Sequence, residues 1–390
     1  MAGGIRRPVA VPDFGVLGRI VALVVVTRGL LTGVLDFGWS ALVAGHPTQR
    51  PCVVSHSNYH VPHLLGLWGN WDTSWYLRLA QQGYPSAGTG IGARGWAFFP
   101  LYPGAMRVIG AMLGGRTFLA GFLISNAALC AAAYFLYQLV ALESDQATAW
   151  RAVKYLLLLP VAFLFSAVLS EALFLALAIG AFYYARQRRW WIAGFFVALL
   201  GATRAGGLIL IVPLAVEYLA DRRFDVRKLR ADVLSFGVAP LGVLAFSAYA
   251  RHRSGDALVW EHVQFTEWGH VRTNPISTLV SGLTSSYRRF RYTAAFTIVW
   301  MLVLVAGAVT RRLRVSYLIY GLLVAATTLA LGKNLWGGML RYLVVIFPVA
   351  IVLARISRRR SVDIALTFGL ALLQGGLILL WTACQTYWVV

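Results

Sequence analysis

Charge is scarce in this chain. Only 13% of its 390 residues are charged, and acidic side chains are the scarcer kind, 14 against 35 basic. A water-soluble domain carries roughly a quarter charged residues, so a soluble globular protein is excluded by composition. Cysteine is nearly absent: Cys52, Cys130 and Cys384 are all there is, the last two lie in apolar runs, and no disulfide framework is expected. Neither a His-Glu-x-x-His helix nor a paired Cys-x-x-Cys occurs, so no metal and no cofactor is expected. Nor is there an internal repeat or low-complexity tract; an inverted repeat would have favoured a transporter. No small-residue cleavage site follows the first apolar run. A retained first helix is therefore expected rather than a removed signal peptide.

What is present is oil: 59% of the residues are hydrophobic. The formal net charge of +21 would suit nucleic acid in a soluble protein. Here the basic residues come in short clusters between apolar runs, which is the positive-inside pattern of membrane proteins, so no nucleic-acid partner is expected. The reading is an all-α, polytopic membrane protein of one domain, residues 1–390, embedded in the plasma membrane.

About eleven spans are expected, near 16–36, 118–141, 153–169, 171–186, 190–204, 206–220, 232–250, 293–310, 315–331, 342–356 and 362–382. Several are shorter than the roughly 20 residues a full crossing needs, and 153–186 reads as a broken or re-entrant pair. With the N-terminus in the cytoplasm, alternation puts Arg6 and Arg7, Arg151 and Lys154, Arg186 to Arg189, Arg222 to Arg230, Arg311 to Arg314, and Arg355 to Arg360 in short inner segments. Two long outer loops remain, 37–117 and 251–292, with a shorter outer stretch at 332–342. All seven histidines and Asp72 fall in the two long loops, so any chemistry belongs to the extracytoplasmic face.

Five stretches carry polar groups where they are costly. In "GNWDTSWYLRLAQQGYP", Asp72 stands where an N-cap belongs, between Trp71 and Trp75, with Tyr76 following and Gly83 at the C′ position. Capping alone does not require a carboxylate, so Asp72 is equally a candidate for chemistry. In "GWAFFPLYPGAM", Pro100 and Pro103 make a rigid turn into a helix. Its Phe99 and Tyr102 suit either headgroup anchoring or a substrate wall. In "LFSAVLSEALF", Glu171 is a carboxylate near the outer ends of two short spans, where an unpartnered charge costs about 2.5–3.5 kcal/mol. Ser170 and Glu171 also fit a helix start. In "LLGATRAGGLIL" Arg204 either snorkels or forks onto a phosphate. The same alternatives hold for Arg341 and Tyr342 in "GGMLRYLVVIFP". A last outer stretch, "WEHVQFTEWGHVRTNP", offers Trp268 among Glu261, His262, Glu267 and His270. His56, His60 and His63 stand apart in the first loop, where Pro62 argues against helical metal spacing.

In their order along the chain, "WDTSWYLRLAQQGYP", "AFFPLYP", "SAVLSEALF", "ATRAGG" and "LRYLVVIFP" resemble the PIG-V family, the second mannosyltransferase of GPI-anchor assembly and its bacterial relatives. The resemblance runs from about residue 68 to 356. The chain departs from it at Ala205 and Gly206, where the family tends to have Pro-Thr, and at Ser170, where it tends to have Thr. The resemblance implies a type-C glycosyltransferase fold with a large first outer loop carrying short amphipathic helices. It implies transfer of a hexose, mannose by family, from a polyprenyl phosphate to an acceptor hydroxyl on a glycan, glycolipid or protein. It further implies Asp72 as general base, worth about 10²–10⁴-fold. Trp71, Trp75, Tyr76, Phe99, Pro100, Tyr102, Glu171, Arg204, Trp268, Arg341 and Tyr342 would bind substrate. Arg204 and Arg341 at the leaving phosphate would make the displacement metal-independent. Rival readings are a flippase for a polyprenyl-linked glycan and an assembly subunit. Acidic residues in spans sit near their ends (Asp36, Glu171, Glu217, Asp232, Asp363), so no relay crosses the membrane.

Overall fold

The computed structural model describes residues 13–45, 61–86, 90–332, 336 and 338–382. Arg6, Arg7, His46, Cys52, His56, His60, Lys333 and Cys384, all singled out above or within the stretches named there, lie outside the described residues. Every regular element among those described is helical.

Five of the helices are long and apolar enough to cross a membrane: Phe14–Ala41, Thr117–Ala141, Ala231–Ser254, Arg288–Val309 and Arg360–Thr382. Two more apolar helices, Trp190–Gly201 and Val315–Leu329, are shorter. The expected eleven therefore correspond to five long helices, four shorter ones and two broken runs, and the breaks have local causes. The run 153–169 is not one helix. Its α-helix stops at Leu158, ahead of Pro160, and a 3₁₀ turn at Ala162–Phe165 precedes the next helix at Glu171. The run 342–356 likewise splits into Met339–Leu343 and Pro348–Ile356, the second opening on its proline.

In chain order the helices needed below are α1 (Phe14–Gly45), α2 (Thr73–Gln82), α3 (Leu101–Met112), α4 (Thr117–Ala141), α5 (Gln146–Leu158), α6 (Glu171–Arg186) and α7 (Trp190–Gly201). They continue with α8 (Ile211–Asp221), α9 (Leu241–Ser254), α10 (Val259–Thr266), α11 (Pro275–Leu283) and α12 (Arg288–Val309). The last are α13 (Val315–Leu329), α14 (Met339–Leu343), α15 (Pro348–Ile356) and α16 (Arg360–Thr382). The core is built on α6, which packs along both α4 and α7 and buries nearly its whole circumference. A helix apolar all round is stable only in such a position. The outer faces of α1, α12 and α16 expose Val25, Leu30, Leu302 and Leu372, as a lipid-facing helix does.

The two ends of the bundle differ in chemistry. At one end the residues assigned by alternation to inner segments meet in ion pairs. Glu217 takes Arg186 at 2.7 Å and Arg314 at 2.9 Å, Glu143 takes Arg355 at 3.0 Å, and Lys154 reaches Asp363 at 2.6 Å. At the other end lie α2, the two segments between α9 and α12, and α14. The loop 251–292 is thus largely folded, into α10 and α11.

Candidate active site

The site starts from a short loop pinned on both flanks. Asn70 is buried. Its amide nitrogen donates to the Trp381 carbonyl at 3.2 Å, and its side-chain oxygen accepts from the Trp71 N–H at 2.8 Å. Thr73 is also buried, and its hydroxyl donates to the Val168 carbonyl at 3.2 Å. Between them Trp71 is held at φ 50°, in the left-handed region. For a bulky side chain this costs about 1 kcal/mol or more and persists only where the surroundings impose it.

Asp72 occupies the N-cap position of α2 but does not cap it. Its backbone is helical (φ −63°, ψ −13°) and its side chain makes no cap hydrogen bond. Capping needs an extended backbone to turn the oxygen back on the first amides. The carboxylate accepts instead from Nη1 of Arg341. Gly83 does end the helix with positive φ, 78°, as expected of it.

Arg341, in α14, and Arg204, just beyond α7, both donate to the same oxygen of Glu171, Oε1. Glu171 is fully buried at the first position of α6, where the helix dipole favours a negative charge. Arg204 Nε also donates to the Ser170 hydroxyl at 3.2 Å, which lies 2.8 Å from the Tyr76 hydroxyl. Burial pushes the Tyr76 phenol up, so it stays neutral. Two guanidinium groups and two carboxylates thus form one connected group whose charges cancel. The Tyr342 ring lies against both cations, 5.5 Å from Arg204 and 6.0 Å from Arg341. Glycine makes the Arg204 turn possible: a Cβ on Gly207 would stand 2.7 Å from the backbone of Leu200.

This group opens into a cavity of about 1380 Å³, larger than the 300–1,000 Å³ that suffices for a small ligand. Trp71, Asp72, Tyr76, Phe99, Arg204, Trp268, Arg341 and Tyr342 all line it. Four expected site residues stand behind the wall. Trp75 stacks on Phe98, centroids 6.1 Å apart, and meets Trp268 edge-on. Pro100 starts α3, where the next amide, Leu101, binds the Ala202 carbonyl at 2.9 Å. Tyr102 is fully buried and satisfied, 2.7 Å from the Ser125 hydroxyl and 3.0 Å from the Gly121 carbonyl. Glu171 acts through its arginines rather than on the cavity itself.

Lining residues not singled out from sequence come mostly from the second outer loop and its neighbours: Trp260, Arg272, Arg289 and Trp336. For Trp260, Arg272 and Arg289 the signal was present as aromatics and arginines mixed within "VWEHVQFTEWGHVRTNP" and "SSYRRFRY". Burial lowers the His270 imidazole, another wall residue, towards its neutral form. Among the described residues, no three of His, Cys, Asp and Glu gather as metal ligands would.

Compared with known proteins, residues 10–244 match the family model described as Mannosyltransferase (PIG-V). That span carries Asp72, Tyr76, Glu171 and Arg204; Trp268, Arg341 and Tyr342 lie beyond it and join the site by geometry. No curated protein gives a match.

Proposed function

Because the chain belongs to the PIG-V mannosyltransferase family and is a glycosyltransferase, we propose that it moves mannose from a polyprenyl phosphate to an acceptor hydroxyl, at the extracytoplasmic surface of the plasma membrane. The observation that carries this reading is a carboxylate, Asp72, on the wall of a large membrane-end cavity, held by Arg341 rather than spent on its helix.

In the proposed reaction Asp72 takes the proton of the acceptor hydroxyl as that oxygen attacks the anomeric carbon. The bond from that carbon to the phosphate oxygen breaks in the same displacement, the sugar centre inverts, and polyprenyl phosphate leaves. Arg204 and Arg341, beside Asp72, face the negative charge that grows on the leaving oxygen, so protein cations do the work a metal would do elsewhere. Glu171 fixes both guanidinium groups in place before substrate arrives. The aromatic wall of Phe98, Phe99 and Trp268 offers flat surfaces for a sugar and excludes water. The extracytoplasmic assignment rests on charge: the opposite end of the bundle gathers the basic clusters of the short loops.

The test is to incubate membranes containing the protein with polyprenyl-phosphate mannose labelled in the sugar. A labelled product that keeps the mannose and loses the polyprenyl phosphate supports the reading. Label that moves across vesicles without bond cleavage would mark a flippase instead.

A further inference from the structure

The short loop 222–230 lies at the end of the bundle away from the cavity. It joins α8 to the apolar span Ala231–Ser254, and Glu217, one turn before it, belongs to the ion pairs of that end. The loop is fixed from inside by Arg222, which is buried. Its guanidinium bonds Asp232 at 3.0 Å and the Lys228 carbonyl at 3.2 Å, and lies 3.5 Å from the Tyr218 ring. The Tyr218 hydroxyl donates to Asp232 at 2.5 Å and accepts from the Arg230 N–H at 3.3 Å. Tied to residues on both of its flanks, one of them on a membrane span, the loop cannot rise far from headgroup level.

This rigid loop turns apolar side chains outward. Arg223 and Phe224 are held at φ 55° and 57°, in the left-handed region that a side chain adopts only where its surroundings impose it. Phe224 is 64% and Val226 70% exposed, and Leu229 and Leu234 are exposed as well. Cations alternate with them along the chain. Arg222 is paired with Asp232, and Lys228 with Asp225 at 3.0 Å. Arg223, Arg227 and Arg230 are exposed and make no ion pair among the described residues.

The two features together select the partner. A nucleic acid would leave Phe224 and Val226 in water, and a neutral lipid surface would leave three guanidinium groups unmatched. An anionic lipid surface satisfies both, because apolar groups enter below the headgroups while arginines meet the phosphates. We infer that the loop docks onto anionic phospholipid, with Phe224 and Val226 below the headgroups and Arg223, Arg227 and Arg230 on lipid phosphates. By the topology proposed above this is the inner leaflet. The contact does not depend on which sugar or donor the cavity takes.

The test uses the full chain in nanodiscs of mixed phosphatidylcholine and phosphatidylglycerol, with the native cysteines changed to serine and a fluorophore on Val226→Cys. A nitroxide just below the headgroup is carried by one lipid or the other, and its quenching reports which lipid sits at the loop. Both leaflets have the same composition, so the direction of insertion does not matter. Phosphatidylglycerol should be preferred by about tenfold or more, since each arginine near such a surface contributes about fivefold. Arg223→Gln, Arg227→Gln and Arg230→Gln together should abolish the preference. Arg116→Gln, Arg251→Gln and Arg288→Gln together, which remove as much charge from exposed positions elsewhere, should keep it. Should the first triple variant fail to fold, Phe224→Gly carries the test, since glycine accepts the backbone angle and removes the ring; quenching by both lipids should then fall. Equal quenching by the two lipids, no quenching by either, a preference lost equally in the second triple variant, or quenching unchanged in Phe224→Gly would overturn the inference.

Discussion

Asp72, Arg204 and Arg341 draw notice in the sequence because each is a charge in an apolar setting. What no linear reading supplies is that a single buried carboxylate, Glu171, holds both arginines. Residues 72, 171, 204 and 341 come from four separate segments, and only packing brings them to one point. A competing account of Asp72, that it merely caps α2, fails on its backbone angles and on the absence of a cap bond. Tyr102 shows the reverse: its aromatic, proline-flanked setting suggested a substrate wall, yet its hydroxyl is used up inside the bundle. A prediction follows for Glu171. Replacing it by alanine leaves two guanidinium groups buried without their shared partner, so Glu171→Ala should lower stability by about 3 kcal/mol or more. The unfolding midpoint in detergent measures this; an unchanged midpoint would mean that the arginines are held by other groups.

At the scale of the element, long apolar runs were legible as helices because lipid and core select the same composition. The break within 153–186 was legible from the shortness of its runs, whereas the one ahead of Pro348 was not, 342–356 reading as a single span. The second outer loop was the least readable part. Its α10 and α11 are short, and their roles depend on what they touch rather than on periodicity. Trp336 shows why. It forms part of the cavity wall because Gly282 of α11 leaves room for its indole, a Cβ there falling 2.3 Å from the ring. Gly282→Ala should therefore displace Trp336 and reshape the cavity, at a cost of about 1–3 kcal/mol for overpacking. The expected kinetic outcome is a raised KM for the donor with kcat less affected. A KM equal to that of the wild type would show that the indole moves without consequence for binding.

The molecule as a whole is polarised. One end carries basic clusters locked into ion pairs with Glu143, Glu217 and Asp363; the other carries the cavity. This partition was visible in the sequence as loop charge, since short basic loops resist translocation. The number of crossings was not, because helices such as Trp190–Gly201 are too short to be told from core helices by length alone. In a background with the native cysteines changed to serine, Tyr287→Cys should react with an impermeant maleimide on intact cells. Arg359→Cys should react only after permeabilisation. The opposite pattern would put the cavity on the cytoplasmic side.

The most direct measurement is sugar transfer by Asp72→Asn. Asparagine keeps the size, its amide oxygen can still accept from Arg341, and Glu171 still pairs that guanidinium, so the protein should insert and fold. Transfer of labelled mannose from polyprenyl phosphate should fall by about 10²–10⁴-fold, the contribution of a positioned base. Transfer at the wild-type rate in a folded Asp72→Asn protein would contradict the account.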